Sequence, residues 1–114
     1  MHELSIAQAL VEQVEGVRLA NGGAQVVSVE LRIGTWRLVV HESLDLYYRT
    51  LTRGTALEGS RLEIETVQAQ GRCPRCEEVF AVEAPLIVCP VCGGVGGDLL
   101  AGQELDLISV ELED

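Results

Sequence analysis

The chain has 114 residues and a mass of 12.3 kDa, a length that favours one compact domain with at most a small appendage. Eighteen acidic residues face eight basic ones, all arginine, and the formal net charge is -10. That charge repels phosphate backbones and excludes non-specific nucleic-acid binding. No apolar run approaches the roughly 18 residues of a membrane helix, and the opening Met-His-Glu-Leu-Ser lacks the basic and apolar regions of a secretory signal. The reading is therefore of a cytoplasmic protein. Hydrophobic content of 47% with only 4% aromatics predicts an aliphatic core.

Residues 4–20 carry Leu4, Ala7, Leu10, Val11, Val14 and Val17 on one helical stripe, and Asn21-Gly22-Gly23 supplies the left-handed residues that end a helix. From Val27 the period becomes two. Val27, Val29, Leu31 and Ile33 alternate with Ser28, Glu30 and Arg32, which predicts a half-buried strand ending at Gly34. Residues 35–40 fit no pattern; Trp36 within them is either a core plug or an interface anchor. A second helix is predicted over 42–53, with Leu44, Tyr47, Tyr48 and Leu51 inward and Gly54 as its stop. Leu62, Ile64 and Thr66 mark a second strand, and 104–113 a third. In the third strand Leu105 and Leu107 run out of phase with Ile108, Val110 and Leu112, implying a bulge or a switch of buried face. Glu12, Glu15, Glu30, Glu63 and Glu65 fall mostly on solvent faces, with docking to a basic partner as the alternative.

This order predicts an α+β fold: two helices packed on a three-stranded sheet, with an inserted four-cysteine module of zinc-ribbon type. The expected division is 1–70 with 103–114 for the α/β part and 71–102 for the module. Gly93–Gly97 would form a flexible return path.

All four cysteines lie in the module, as Cys73-Pro-Arg-Cys76 and Cys89-Pro-Val-Cys92 with twelve residues between the pairs. Two chelating turns at this spacing suit tetrahedral thiolate coordination, and zinc is the leading reading, ahead of a redox dithiol and of iron. Gly93 after Cys92 permits a turn that aims backbone N–H groups at sulfur; Glu77 stands in its place after Cys76 and predicts a less ideal turn. The segment between pairs is too short for its own core, so a bound metal would supply its folding free energy.

The two histidines are His2 and His41. A free amine at Met1 beside the amide and imidazole of His2 could offer the planar nitrogen set that Ni(II) and Cu(II) favour. On composition alone, His2 reads first as an exposed terminal residue, and His41 as a loop or helix-start residue ahead of a metal or partner contact. No phosphate-cradling glycine motif, nucleophile–base arrangement or isolated carboxylate pair stands out, so the chain does not read as an enzyme.

Taken together, Met1-His2-Glu3-Leu4-Ser5-Ile6-Ala7-Gln8, Val29-Glu30-Leu31-Arg32-Ile33-Gly34, Leu51-Thr52-Arg53-Gly54-Thr55, Glu58-Gly59-Ser60-Arg61-Leu62-Glu63-Ile64, both Cys-x2-Cys pairs and the Glu-Leu-Asp-Leu-Ile-Ser run at 104–109 resemble the HypA/HybF family of hydrogenase nickel-incorporation proteins. The resemblance covers essentially the whole chain. It implies a metallochaperone that carries Ni(II) during [NiFe]-hydrogenase maturation, and in some organisms urease maturation. Nickel would then go to the Met1 amine, the backbone nitrogens of His2 and Glu3, and the His2 side chain, as transported cargo. Structural Zn(II) would go to Cys73, Cys76, Cys89 and Cys92. The implied partners are the companion GTPase HypB, the hydrogenase large-subunit precursor and urease maturation proteins, for a monomer or homodimer. One segment departs. Where the family usually reads Gly-Glu-Leu-Ser-Gly-Val-Val-Pro-Glu, this chain has Gly34-Thr-Trp-Arg-Leu-Val-Val-His41-Glu42, so Leu38 and His41 replace a turn glycine and a proline. The rival to the carrier is a zinc-ribbon docking module in which His2 is incidental.

Overall fold

A computed structural model describes residues 2–113. Helix α1 spans His2–Ala20 and buries Glu3, Ala7, Leu10 and Val14, the three-and-four spacing that keeps side chains on one face. Its end is fastened locally. Asn21 Nδ2 donates to the Val17 carbonyl at 2.7 Å, and the Gly23 N–H reaches the Arg18 carbonyl at 2.9 Å, with Gly22 and Gly23 at φ 80 and 75. Helix α2, His41–Thr52, buries Leu44, Tyr48 and Thr52 and packs against α1. The predicted start at 42 thus lies one residue inside the helix. His41 is its first residue, a position where a missing or unpaired N–H is tolerated, which is why proline and histidine can exchange there.

Strands β1 (Val26–Gly34), β2 (Arg61–Val67) and β6 (Leu105–Leu112) form a sheet in the order β2-β1-β6. The predicted fold class is thereby found: two helices and a three-stranded sheet, with the cysteine segment inserted before the last strand. Being central, β1 is buried along most of its length. Val29, Leu31 and Ile33 are inaccessible as expected, but Val26 and Ser28 are buried too while Val27 is only half-buried. Ser28 keeps its hydroxyl satisfied by donating to Glu111 Oε2 at 3.0 Å. In β6 the phase does break. Leu107, Val110 and Leu112 are half-buried, whereas Ile108, expected to share the face of Val110, is 40% exposed. The break falls between 107 and 110, on a strand at the edge of the sheet.

The chain clusters into two compact units, the first comprising residues 1–31, 39–64 and 107–114, the second 32–38 and 65–106. The first is centred on Ala7, Val14, Val29, Leu44, Tyr48 and Leu57, none more than 1% exposed. The second holds a sheet that periodicity did not reveal, β4-β3-β5, built from β3 (Gln70–Arg72), β4 (Val79–Ala81) and β5 (Asp98–Ala101) with antiparallel pairing on both sides of β3. Strands of three or four residues show too little alternation to be read from sequence. The glycine run before β5 is not a free return path. Val88 and Val95 form a bridge, and the Gly96 N–H donates to the Ile87 carbonyl at 2.8 Å.

Residues 34–37 are held within the second unit. Thr35–Arg37 make a 3-10 turn carrying Trp36, which is half-buried and donates its backbone N–H to the Gly102 carbonyl at 3.0 Å. The Ala69 N–H donates to Thr35 Oγ1 at 2.8 Å, and Arg37 Nε to the Gln103 carbonyl at 2.7 Å. Leu38 then takes the left-handed conformation, φ 54 and ψ 34, at the place where the family pattern has glycine. A left-handed turn thus forms here without a glycine. A left-handed non-glycine residue costs about 1–2 kcal/mol, and Leu38 is 58% exposed, so it recovers little by burial. Leu38→Gly is expected to raise stability by about 0.5–1 kcal/mol after the added unfolded-state entropy of glycine is subtracted, read as a shift in urea midpoint at constant slope.

Candidate metal sites

Each cysteine pair sits in a turn built the same way. In the first, the Glu77 N–H donates to the Cys73 carbonyl at 2.9 Å and the Cys73 N–H to the Glu78 carbonyl at 3.0 Å; in the second, Gly93 donates to Cys89 at 2.9 Å and Cys89 to Gly94 at 2.9 Å. Glu77 adopts φ 60, close to the φ 72 of Gly93. The first turn is therefore not distorted, as its sequence suggested; it takes the same shape with a residue that bears the left-handed penalty. Glu77→Gly is expected to slow zinc loss to a competing chelator without changing stoichiometry.

The four sulfur atoms converge, all within 4.8 Å of one another, with Cys73–Cys92 and Cys76–Cys89 each at 3.6 Å. A tetrahedral site with metal–sulfur bonds of about 2.3 Å needs sulfur–sulfur edges of about 3.8 Å, so the donor set fits a zinc-sized tetrahedral ion in both chemistry and spacing. Cys73 and Cys89 are buried at 1% exposure each, while Cys76 and Cys92 face solvent. The Cys92 N–H lies 3.5 Å from the Cys89 sulfur, the backbone donation expected of such a turn.

Electrostatics divides the thiols into two kinds. The N–H groups of Cys76 and Arg75 draw Cys73 down to about 6 against the opposing effect of burial. The Cys92 N–H lowers Cys89 in the same way. Cys76 feels the Glu78 N–H, but its hydrogen bond with Cys89, burial and the neighbouring Cys73 outweigh that and push it up to about 11. Cys92 is raised despite the Gly94 N–H, chiefly by Cys73 and then Cys89. A metal ion bound by all four as thiolates displaces the protons of the two raised thiols, so affinity falls as pH falls.

Among the described residues, the four cysteines are the one group of three or more histidine, cysteine or acidic side chains close enough to share a metal ion. Met1 lies outside the described residues. His2 is the first residue of α1; its Nε2 is 2.9 Å from Glu3 Oε2, with the His2 side chain 55% exposed and that of Glu3 only 6%. The same Glu3 oxygen accepts the Val40 N–H at 3.4 Å, at the residue that caps α2. Sequence reading missed this role of Glu3. A carboxylate on one helix satisfying the N-terminus of the next leaves no periodic trace, although the absence of Ser, Thr, Asp or Asn before α2 was a visible deficit.

A small α+β protein with a preformed four-thiol cluster compatible with a tetrahedral metal is the class that fold and site define. The family model described as "Hydrogenase/urease nickel incorporation, metallochaperone, hypA" matches residues 1–112. The chain belongs to the HypA family of hydrogenase maturation factors. It is 44% identical over 114 residues to the hydrogenase maturation factor HypA of Geotalea uraniireducens, covering 99% of this chain and 100% of that one. It is 43% identical over 115 residues to the HypA of a Roseiflexus species, covering 100% and 94%. The solution structure of the Ni metallochaperone HypA from Helicobacter pylori superposes with a TM-score of 0.64 at 21% identity, covering 96% of each chain. A second HypA solution structure gives 0.69 at 21% identity, covering 99% and 97%. At these identities the two structures speak to the shared fold.

Proposed function

We propose that this chain is a nickel carrier for [NiFe]-hydrogenase maturation, holding Ni(II) through the Met1 amine, the backbone nitrogens of His2 and Glu3, and the His2 imidazole, with Zn(II) held structurally by Cys73, Cys76, Cys89 and Cys92. The observation that carries it is the place of His2 and Glu3 in the first turn of α1. Amides there have no intrahelical carbonyl to donate to, so nickel can take their nitrogens without breaking a helix hydrogen bond. Imidazole and amide nitrogens suit the tetragonal geometry of Ni(II). An exposed terminal site also lets the ion pass to competing ligands without unfolding the domain. Dissociation constants near micromolar, about -8 kcal/mol, are expected.

The partners under this reading are the companion GTPase HypB and the hydrogenase large-subunit precursor, with urease maturation proteins where urease is made, in the cytoplasm. Among the described residues no helix is long and apolar enough to cross a membrane. The chain performs no catalytic step of its own. The division into a nickel-binding part, 1–70 with 103–114, and a zinc module, 71–102, is proposed on the same grounds.

Titrating the untagged protein with Ni(II) beside His2→Ala and an N-acetylated form tests the assignment. Wild type is expected to bind about one nickel and retain one zinc, and both altered forms to lose nickel while keeping zinc. The docking-module reading draws on the exposure of Val91 (67%) and Val95 (73%) at the second cysteine turn. Nickel binding by His2→Ala at wild-type affinity would decide for it.

A further inference from the structure

Three of the eight arginines line one groove of about 580 Å³ in the first unit, bounded by Asp45, Arg49, Arg53, Glu58, Ser60 and Arg61. In a chain of net charge -10 such a concentration is conspicuous, and neither metal site uses it. The groove has a fixed floor. Ser60 Oγ, buried, bonds the Leu57 carbonyl at 2.6 Å and the Tyr48 hydroxyl at 2.7 Å, and Thr52 Oγ1 donates to the Tyr48 carbonyl at 2.9 Å. With these hydroxyls occupied, the arginines are the donors left for a ligand. Arg49 uses only its Nε, on Asp45 Oδ2 at 2.9 Å; Arg61 lies 3.8 Å from Glu63; Arg53 meets no carboxylate among the described residues.

We propose that this groove binds a carboxylate-bearing segment of a protein partner, its separated Asp or Glu side chains each meeting one arginine. Charge complementarity sets the occupant. Guanidinium groups take carboxylates in paired hydrogen bonds, and the exposed Asp45–Arg49 pair is weak enough to exchange. The wall carboxylates of Asp45 and Glu58 repel a compact polyanion such as phosphate, whereas an extended peptide can place its charges between them.

The test uses the full chain and a fluorescein-labelled peptide of alternating glutamate and glycine, read by anisotropy. Wild type and His2→Ala are expected to bind it equally, which separates this result from the fate of the nickel assignment. Arg53→Gln should weaken binding several-fold, and the combined Arg49→Gln, Arg53→Gln, Arg61→Gln variant by about tenfold or more, with circular dichroism unchanged because all three side chains are exposed. Arg72→Gln, outside the groove, should bind as wild type. Moving from about 0.01 M to about 0.15 M salt, where screening tightens from about 30 Å to about 8 Å, should weaken wild type far more than the triple variant. No binding by wild type, or undiminished binding by the triple variant, overturns the proposal. Displacement of the peptide by inorganic phosphate at equal concentration also overturns it, in favour of a small-anion site.

Discussion

Cys89→Ser is expected to empty the four-thiol site and to unfold the second unit locally, the larger of the two strongest effects foreseen for this chain. The reason lies in what holds that unit together. Its buried apolar side chains are Ile33, Ala69 and Val82, joined by Cys73 and Cys89 themselves, and its sheet strands run three or four residues. Such a core is too small to order the whole unit by itself. In comparably small modules a structural zinc ion supplies the folding free energy outright. Zinc analysis and amide hydrogen exchange check it. Zinc should fall from one per chain to none, and protection should vanish over 70–101 while α1 and α2 keep theirs. A variant that retains zinc and protection would remove the structural-metal assignment. A wild-type protein free of zinc and cycling between thiol and disulfide would favour the redox reading instead.

The same physics fixes the pH response. Protons compete with metal for the sulfurs, and Cys76 and Cys92 are the thiols held protonated most firmly. Zinc retention against a chelator should therefore weaken steadily as pH falls through and below the range near 6 where Cys73 takes up its proton.

Gly102→Ala is the second. A Cβ at residue 102 would lie 2.4 Å from the Ala69 Cα and 2.5 Å from its Cβ, on a backbone already at φ 108. Across the same crossing, a Cβ on Gly34 would fall 1.9 Å from the Gly102 carbonyl oxygen. The obstructing atoms are main-chain or anchored to it, so no rotamer change relieves the clash, and the hydrogen bonds from Gly34 to Glu104 and from Trp36 to Gly102 would have to break. A loss of about 3 kcal/mol or more is expected. Gly54→Ala is the control: φ is 77 but the space is open, so only the left-handed penalty of about 1–2 kcal/mol applies. Urea denaturation of both variants separates close approach from backbone preference. Equal losses would mean the crossing is looser than described.

Both helices, all three strands of the larger sheet and the four cysteines could be read from the chain, for a common reason. Amphipathic periodicity over eight or more residues, glycine stops and paired Cys-x2-Cys spacing are local properties, set by one element meeting water on one side and a core on the other. The small sheet could not be read, because three-residue strands such as Gln70–Arg72 carry no period. Nor could Leu38 and Glu77 at positive φ, since leucine and glutamate do not announce a left-handed turn; only the hydrogen bonds around them impose it. The roles of Glu3, Gly34 and Gly102 depend on residues far apart in the chain coming within a few ångströms, and the shared groove of Arg49, Arg53 and Arg61 on how the end of α2 meets the start of β2. Local composition and spacing thus settled which long elements form and that the cysteines come as two paired turns. Long-range packing alone settled which backbones touch, which turns are strained and which charges share a surface, because those energies arise between segments that have no contact until the chain is folded.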